Sequence, residues 1–176
     1  MELPEATSML ARTPKVVDTL LAGLPPEWLY RDDGPGTWSA YDIVGHLIEG
    51  EAANWLPRTR MILRHGTGRA FESFDRQAML GRDREPAAAL LARFQAARQA
   101  SLDELSSLDL TADDVDRRGL HPDLGEVTLG QVLATWVAHD LTHVAQVGEV
   151  LARRYRVDVG PYRTYLPALD RTADAE

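Results

Sequence analysis

The residues whose types and spacing bear on chemistry are three histidines. His139 and His143 stand four apart in HDLTHVAQ, residues 139–146. On a helix that spacing places both imidazoles on one face, one above the other. Two neutral imidazoles so placed can bind one transition-metal ion, as in helical zinc motifs. A third ligand must come from elsewhere. His46, inside WSAYDIVGHLIEGE, lies in the middle of a second amphipathic stretch and is the candidate. The same pair read as surface polar residues, or as hydrogen-bonded core histidines, stays open at this point.

Neighbours of these histidines are ranked by helical spacing. Asp42 precedes His46 by one turn and Glu49 follows it by almost one. Either can orient the imidazole or accept a proton beside an open coordination position. A capping role already accounts for Asp42. Gln146 lies three residues past His143, on the same face, within reach of a ligand or substrate. Trp136 is read as core, His65 and His121 as surface residues, and Glu51 and Glu149 as solvated. Asp140 occupies the base position of a zincin-like H-x-x-x-H, but Asp is a methylene too short and no other zincin context is present. The His139-Asp140 doublet lacks the extended His and Asp series of HD phosphohydrolases. Paired Glu-x-x-His motifs of di-iron bundles are absent.

Composition narrows the classes. The 176 residues suffice for one domain with a sizeable core, and one domain over 1–176 is expected. A formal net charge of −8 with scattered basic residues argues against nucleic acid or an anionic membrane as partner. There is no cysteine, so disulfides, thiolate ligands and a cysteine nucleophile are excluded. Any thiol in the chemistry must arrive with a substrate. No signal peptide and no apolar run long enough to span a bilayer are visible, so a cytoplasmic location is expected.

Four amphipathic helices must position the histidines. The first covers about 4–23 with an interruption, where Thr13-Pro14 fits an N-cap followed by proline. The second, about 39–64, opens with Ser39 and Asp42 at capping-box spacing, with Trp38 as a hydrophobic staple. Its stripe is Ile43, Leu47, Ile48, Ala52 and Trp55, and Pro57 kinks it or ends it early. The third covers about 85–108, with Pro86 at its first position and a buried face of Leu90, Leu91, Phe94, Ala97, Leu102 and Leu105; its arginines and acids face out. The fourth covers about 128–154 and opens with Thr128 and Gln131 at capping-box spacing. Residues 66–84 form a long crossover, read as a lid or a plain connection anchored by aromatics. The tail 156–176 is anchored at Tyr162, Tyr165 and Leu166, and its last residues read as disordered. No stretch alternates convincingly as a strand. The expected class is all-α, a helical bundle.

Three stretches together resemble the DinB/YfiT-like superfamily: TWSAYDIVGHLIEGE (37–51), VTLGQVLATWVAHDLTHVAQVGEVLARRY (127–155) and VGPYRTYL (159–166). The resemblance implies an up-down-down-up four-helix bundle with a long crossover between the second and third helices. It carries His46, His139 and His143 onto a three-His site for a divalent ion, zinc or nickel. It also implies a homodimer and a small-molecule substrate. Some relatives use low-molecular-weight thiols, so thiol-dependent transfer or isomerisation is the leading expectation. A hydrolase using metal-activated water, and a non-catalytic metal- or ligand-binding dimer in a stress response, are the alternatives.

Overall fold

Two prolines set the breaks in the first half of the bundle. The computed structural model describes residues 2–170; the tail residues read as disordered lie outside the described residues. The first arm is split into α1 (Leu3–Leu10) and α2 (Thr13–Leu21). Pro14 has no N–H to give to the Leu10 carbonyl one turn back, so the helix cannot run through. That carbonyl instead accepts from Arg98 Nη1 at 2.7 Å. Thr13 is not the cap. Arg12 holds that position, and the Thr13 hydroxyl bonds Asp140. A short turn, α3 (Pro26–Leu29), buries Leu29.

The second arm is α4 (Ala40–Ala53) followed by α5 (Trp55–His65). Ser39 and Asp42 form the expected capping box. The break falls at Asn54, and Pro57 sits in the first turn of α5. A proline at 57 cannot bond the carbonyl of residue 53 and crowds it, which bends the arm there without ending it. α6 (Ala87–Ser107) is the third arm, with Pro86 at the cap, one residue earlier than expected. α7 (Leu129–Ala152) is the fourth, closed at its start by the Thr128–Gln131 box.

Side-chain contacts fix the directions. His46 meets His139, and Glu51 meets Trp136, so α4 runs antiparallel to α7. Tyr41 meets Glu85 and Glu51 meets Arg98, so α4 and α6 run parallel. Leu10 clusters with Leu133 and Trp136, and Val17 with Val147, so the first arm parallels α7. The topology is therefore up-down-down-up. The two parallel central arms require the long crossover between α5 and α6.

That crossover is not a plain connection, because it packs against the link between α6 and α7. A hairpin, β1 (Arg118–His121) with β2 (Gly125–Thr128), is present where no strand was expected. Each strand has four residues, too few for an alternating pattern to register. Ala70 bridges Leu120 in parallel, and the Phe71 N–H donates to the Leu120 carbonyl at 2.9 Å. Phe71 and Met79 are buried while Leu80 is exposed. In the tail, Tyr162, Tyr165 and Leu166 are exposed, contrary to expectation; the buried anchor is Leu169, whose carbonyl is held by the Arg156 guanidinium.

Candidate metal centre

The antiparallel contact of α4 with α7 brings His46 against His139 and His143. His46 Nε2 lies 3.0 Å from His139 Nε2, and His143 Nε2 lies 3.1 Å from the same atom. All three nitrogens fall within 4.8 Å of one another. Two nitrogens bound to one zinc at ~2.0–2.1 Å and a tetrahedral angle sit about 3.4 Å apart. The two short separations need only a slight expansion to accept such an ion, and the third lies within 4.8 Å.

The outer nitrogens fix which lone pairs face inward. His46 Nδ1 lies 3.1 Å from the Arg76 carbonyl oxygen, which only accepts, so Nδ1 carries the proton and Nε2 the lone pair. His143 Nδ1 lies 2.7 Å from Gln146 Oε1, with the same consequence. His139 Nδ1 is 4.0 Å from Asp140 Oδ1, beyond hydrogen-bond distance. Burial, then the neighbouring imidazoles of His143 and His139, holds the His46 pKa down to about 3. Burial, then His139, holds that of His143 down to about 4. Both are neutral at pH 7, the form that binds metal. Lone pairs converging in a buried position fit a divalent cation, and the donor set of three imidazoles leaves a coordination position open.

Aromatic rings wall the cluster. Trp38 lies on His46 at 4.7 Å and stacks near His143 at 6.0 Å. Trp55 presents its edge to His139 at 5.0 Å, and Phe74 tilts over His46 at 5.6 Å. The histidines line a cleft of about 880 Å³, open to solvent and also lined by Arg58, Arg76 and Gln146.

The family model described as the DinB superfamily matches residues 9–147. The chain belongs to the DinB superfamily. No curated protein matches it. Among solved structures it is similar to YfiT from Bacillus subtilis, with a TM-score of 0.74 and 21% identity over 86% of each chain. YfiT is described as "a probable metal-dependent hydrolase with an unusual four-helix bundle topology". At that identity the match speaks for the fold.

Within this DinB-superfamily chain, other candidates separate clearly. Gln146 is at the cluster. Asp42 and Glu49 are not. Asp42 accepts from the Ser39 N–H at 3.0 Å and from its hydroxyl at 2.6 Å, and Glu49 pairs with Arg82 at 2.6 Å. The His46 nitrogen either might have oriented is taken by the Arg76 carbonyl. His121, expected at the surface, lines the cleft, while His65 is exposed. Trp136 sits behind the cleft, stacked on Trp55 at 5.9 Å.

Glu51, expected to be solvated, is buried beneath the site. Arg98 Nη2 donates to Glu51 Oε1 at 2.6 Å, and Arg98 Nη1 to Asp140 Oδ2 at 2.6 Å. Trp136 Nε1 donates to the same Glu51 oxygen at 3.2 Å. Burial pushes the Asp140 carboxyl up, but the hydrogen bonds and charge of the Arg98 guanidinium, with the Thr13 hydroxyl, hold it below the ordinary range. Assigning arginines to the outer face of the third helix missed Arg98. Its signal was present: positions 91, 94, 98, 101 and 105 are one helical stripe. Arg76 and Phe74 had no local signal, because a crossover loop has no periodicity.

Proposed function

We propose that this chain is a divalent-metal-dependent enzyme acting on a small molecule, working as one domain, with His46, His139 and His143 holding the ion. The observation that carries the reading is the convergence of three imidazole Nε2 atoms at the base of an open cleft. A divalent ion there supplies Lewis acidity, lowering the pKa of water or of a thiol and polarising a carbonyl. The chain supplies the rest. Arg76 and Gln146 hold two imidazoles in the ligating tautomer. Trp38, Trp55 and Phe74 keep the cluster rigid and shield it from bulk water.

Hydrolysis is the reading we place first, and the description of YfiT supports it. Thiol-dependent transfer or isomerisation is the second. One observation favours it: Asp42 and Glu49 are engaged elsewhere, and activating a thiol on a metal requires no protein base. The resemblance extends the proposal to a homodimer and to zinc or nickel as the ion, and the sequence pattern adds a cytoplasmic location.

Elemental analysis after chelation and reloading tests the metal. We expect about one zinc or nickel per chain, and loss of it in His139→Ala/His143→Ala with little change in circular dichroism. Full metal content in that variant would sink the ligand assignment. Loaded protein is then assayed on ester and amide panels, and separately on thiol plus electrophile; turnover in one panel selects the reaction.

A further inference from the structure

In an acidic chain most arginines find a carboxylate. Arg60, Arg82, Arg93, Arg98, Arg118 and Arg153 each hold one. Several other described arginines do not, and of these Arg58 and Arg76 line the histidine cleft. Arg58 projects from the first turns of α5, one turn beyond Asn54. Arg76 projects from the crossover, at the residue whose carbonyl holds His46. Among the described residues neither guanidinium has an ion pair. Arg58 rests over the Phe71 ring at 5.5 Å, with Asp123 acting on it only through space. Burial, and in smaller part the like charge of Arg76, pulls the Arg58 pKa down from its ordinary value.

Like charges gathered on one wall of a cleft, Arg58 partly buried and Arg76 exposed, are unfavourable without a counter-charge. This chain has an excess of acids, yet Asp123 acts on Arg58 only through space and no ion pair closes on either fork. The acids nearest the cleft are Asp123 on the hairpin turn and Glu149 on α7. Glu149 is turned toward Arg153 at 3.4 Å. An arginine fork matches a carboxylate or phosphate in two parallel hydrogen bonds. The cleft volume, about 880 Å³, lies in the range of small-molecule sites, ~300–1,000 Å³.

We infer that Arg58 and Arg76 form an anion subsite beside the three histidines, and that the substrate is a small molecule carrying a carboxylate or phosphate. The forks take the anionic end, and the reacting group is left facing His46, His139 and His143. The inference rests on the proposed function for the meaning of "substrate", but not for the binding itself. The pair holds the anion with or without metal.

The test is calorimetric titration of the full chain with succinate, inorganic phosphate and neutral succinamide, at constant ionic strength. It is run on metal-free protein and repeated after zinc loading. We expect succinate or phosphate to bind both forms, succinamide neither. Arg58→Gln/Arg76→Gln should weaken binding at least about tenfold in both forms, the loss of one charge-assisted contact pair. Arg76→Gln alone, at an exposed position, should lose about threefold or more and serves if the double variant unfolds. Equal affinity in the variants, equal binding of succinamide, or binding seen only with zinc overturns the subsite. Failure of the metal assignment shows instead in the elemental analysis, so the two are read apart.

Discussion

Arg98 shows what one side chain can commit a bundle to. Its guanidinium is 2% exposed and joins Glu51, Asp140 and the Leu10 carbonyl, one group from each other arm. The network stands directly behind His139, since Asp140 is its neighbour in sequence and the hydroxyl of Thr13 completes it. Removing the cation leaves two buried carboxylates without a counter-charge, held only by Trp136 and Thr13. Arg98→Met should therefore cost about 3–5 kcal/mol, read as a fall in the urea midpoint. Replacing Arg98, Glu51 and Asp140 together by apolar residues should cost less than the single change, because no charge is stranded. A single variant as stable as the parent would mean the network is solvated.

At the scale of elements, the hairpin and the crossover act as one unit. Gly119 in β1 is where they close on α5. A methyl group there would meet Ile62 Cγ1 at 2.6 Å and Phe71 Cζ at 2.8 Å. Neither neighbour is a free side-chain end, as both are buried. Gly119→Ala should destabilise the protein by about 1–3 kcal/mol. Because Phe71 opens the segment that carries Phe74 and Arg76, hydrogen exchange should rise first in residues 70–80. Unchanged exchange there would uncouple the hairpin from the crossover. The hairpin was invisible in the sequence because a pair of four-residue strands is held by its surroundings more than by its own pattern.

The whole molecule carries a pH signature from the histidine cluster. His46 and His143 titrate at about 3 and about 4 when folded, against 6.5 for the ordinary imidazole. Between pH 6.5 and about 4 the unfolded chain takes up protons that the folded chain refuses. Stability of metal-free protein is thus full above that window and falls on acidification, by up to about 1.4 kcal/mol per pH unit for each histidine. The Asp140 carboxyl, held low by its partners, adds its loss only below the window. Urea unfolding at pH 7.5 and pH 5 should show the drop, and His46→Gln/His143→Gln should flatten it. An equal drop in that variant would place its origin elsewhere.

Much of this was legible in the sequence. The capping boxes at Ser39 and Thr128, and the stripes of four arms, are local facts of spacing, and a helix needs little more than its own pattern to be recognised. His139 and His143 share a face for the same reason. The resemblance supplied the up-down-down-up order, which the contacts then reproduced. Tertiary structure alone decided the rest. It set Asp42 and Glu49 on other partners, buried Glu51 and Arg98, and brought a carbonyl from residue 76 to residue 46. Those outcomes depend on which faces of separate arms meet, and no spacing within one arm encodes its neighbour.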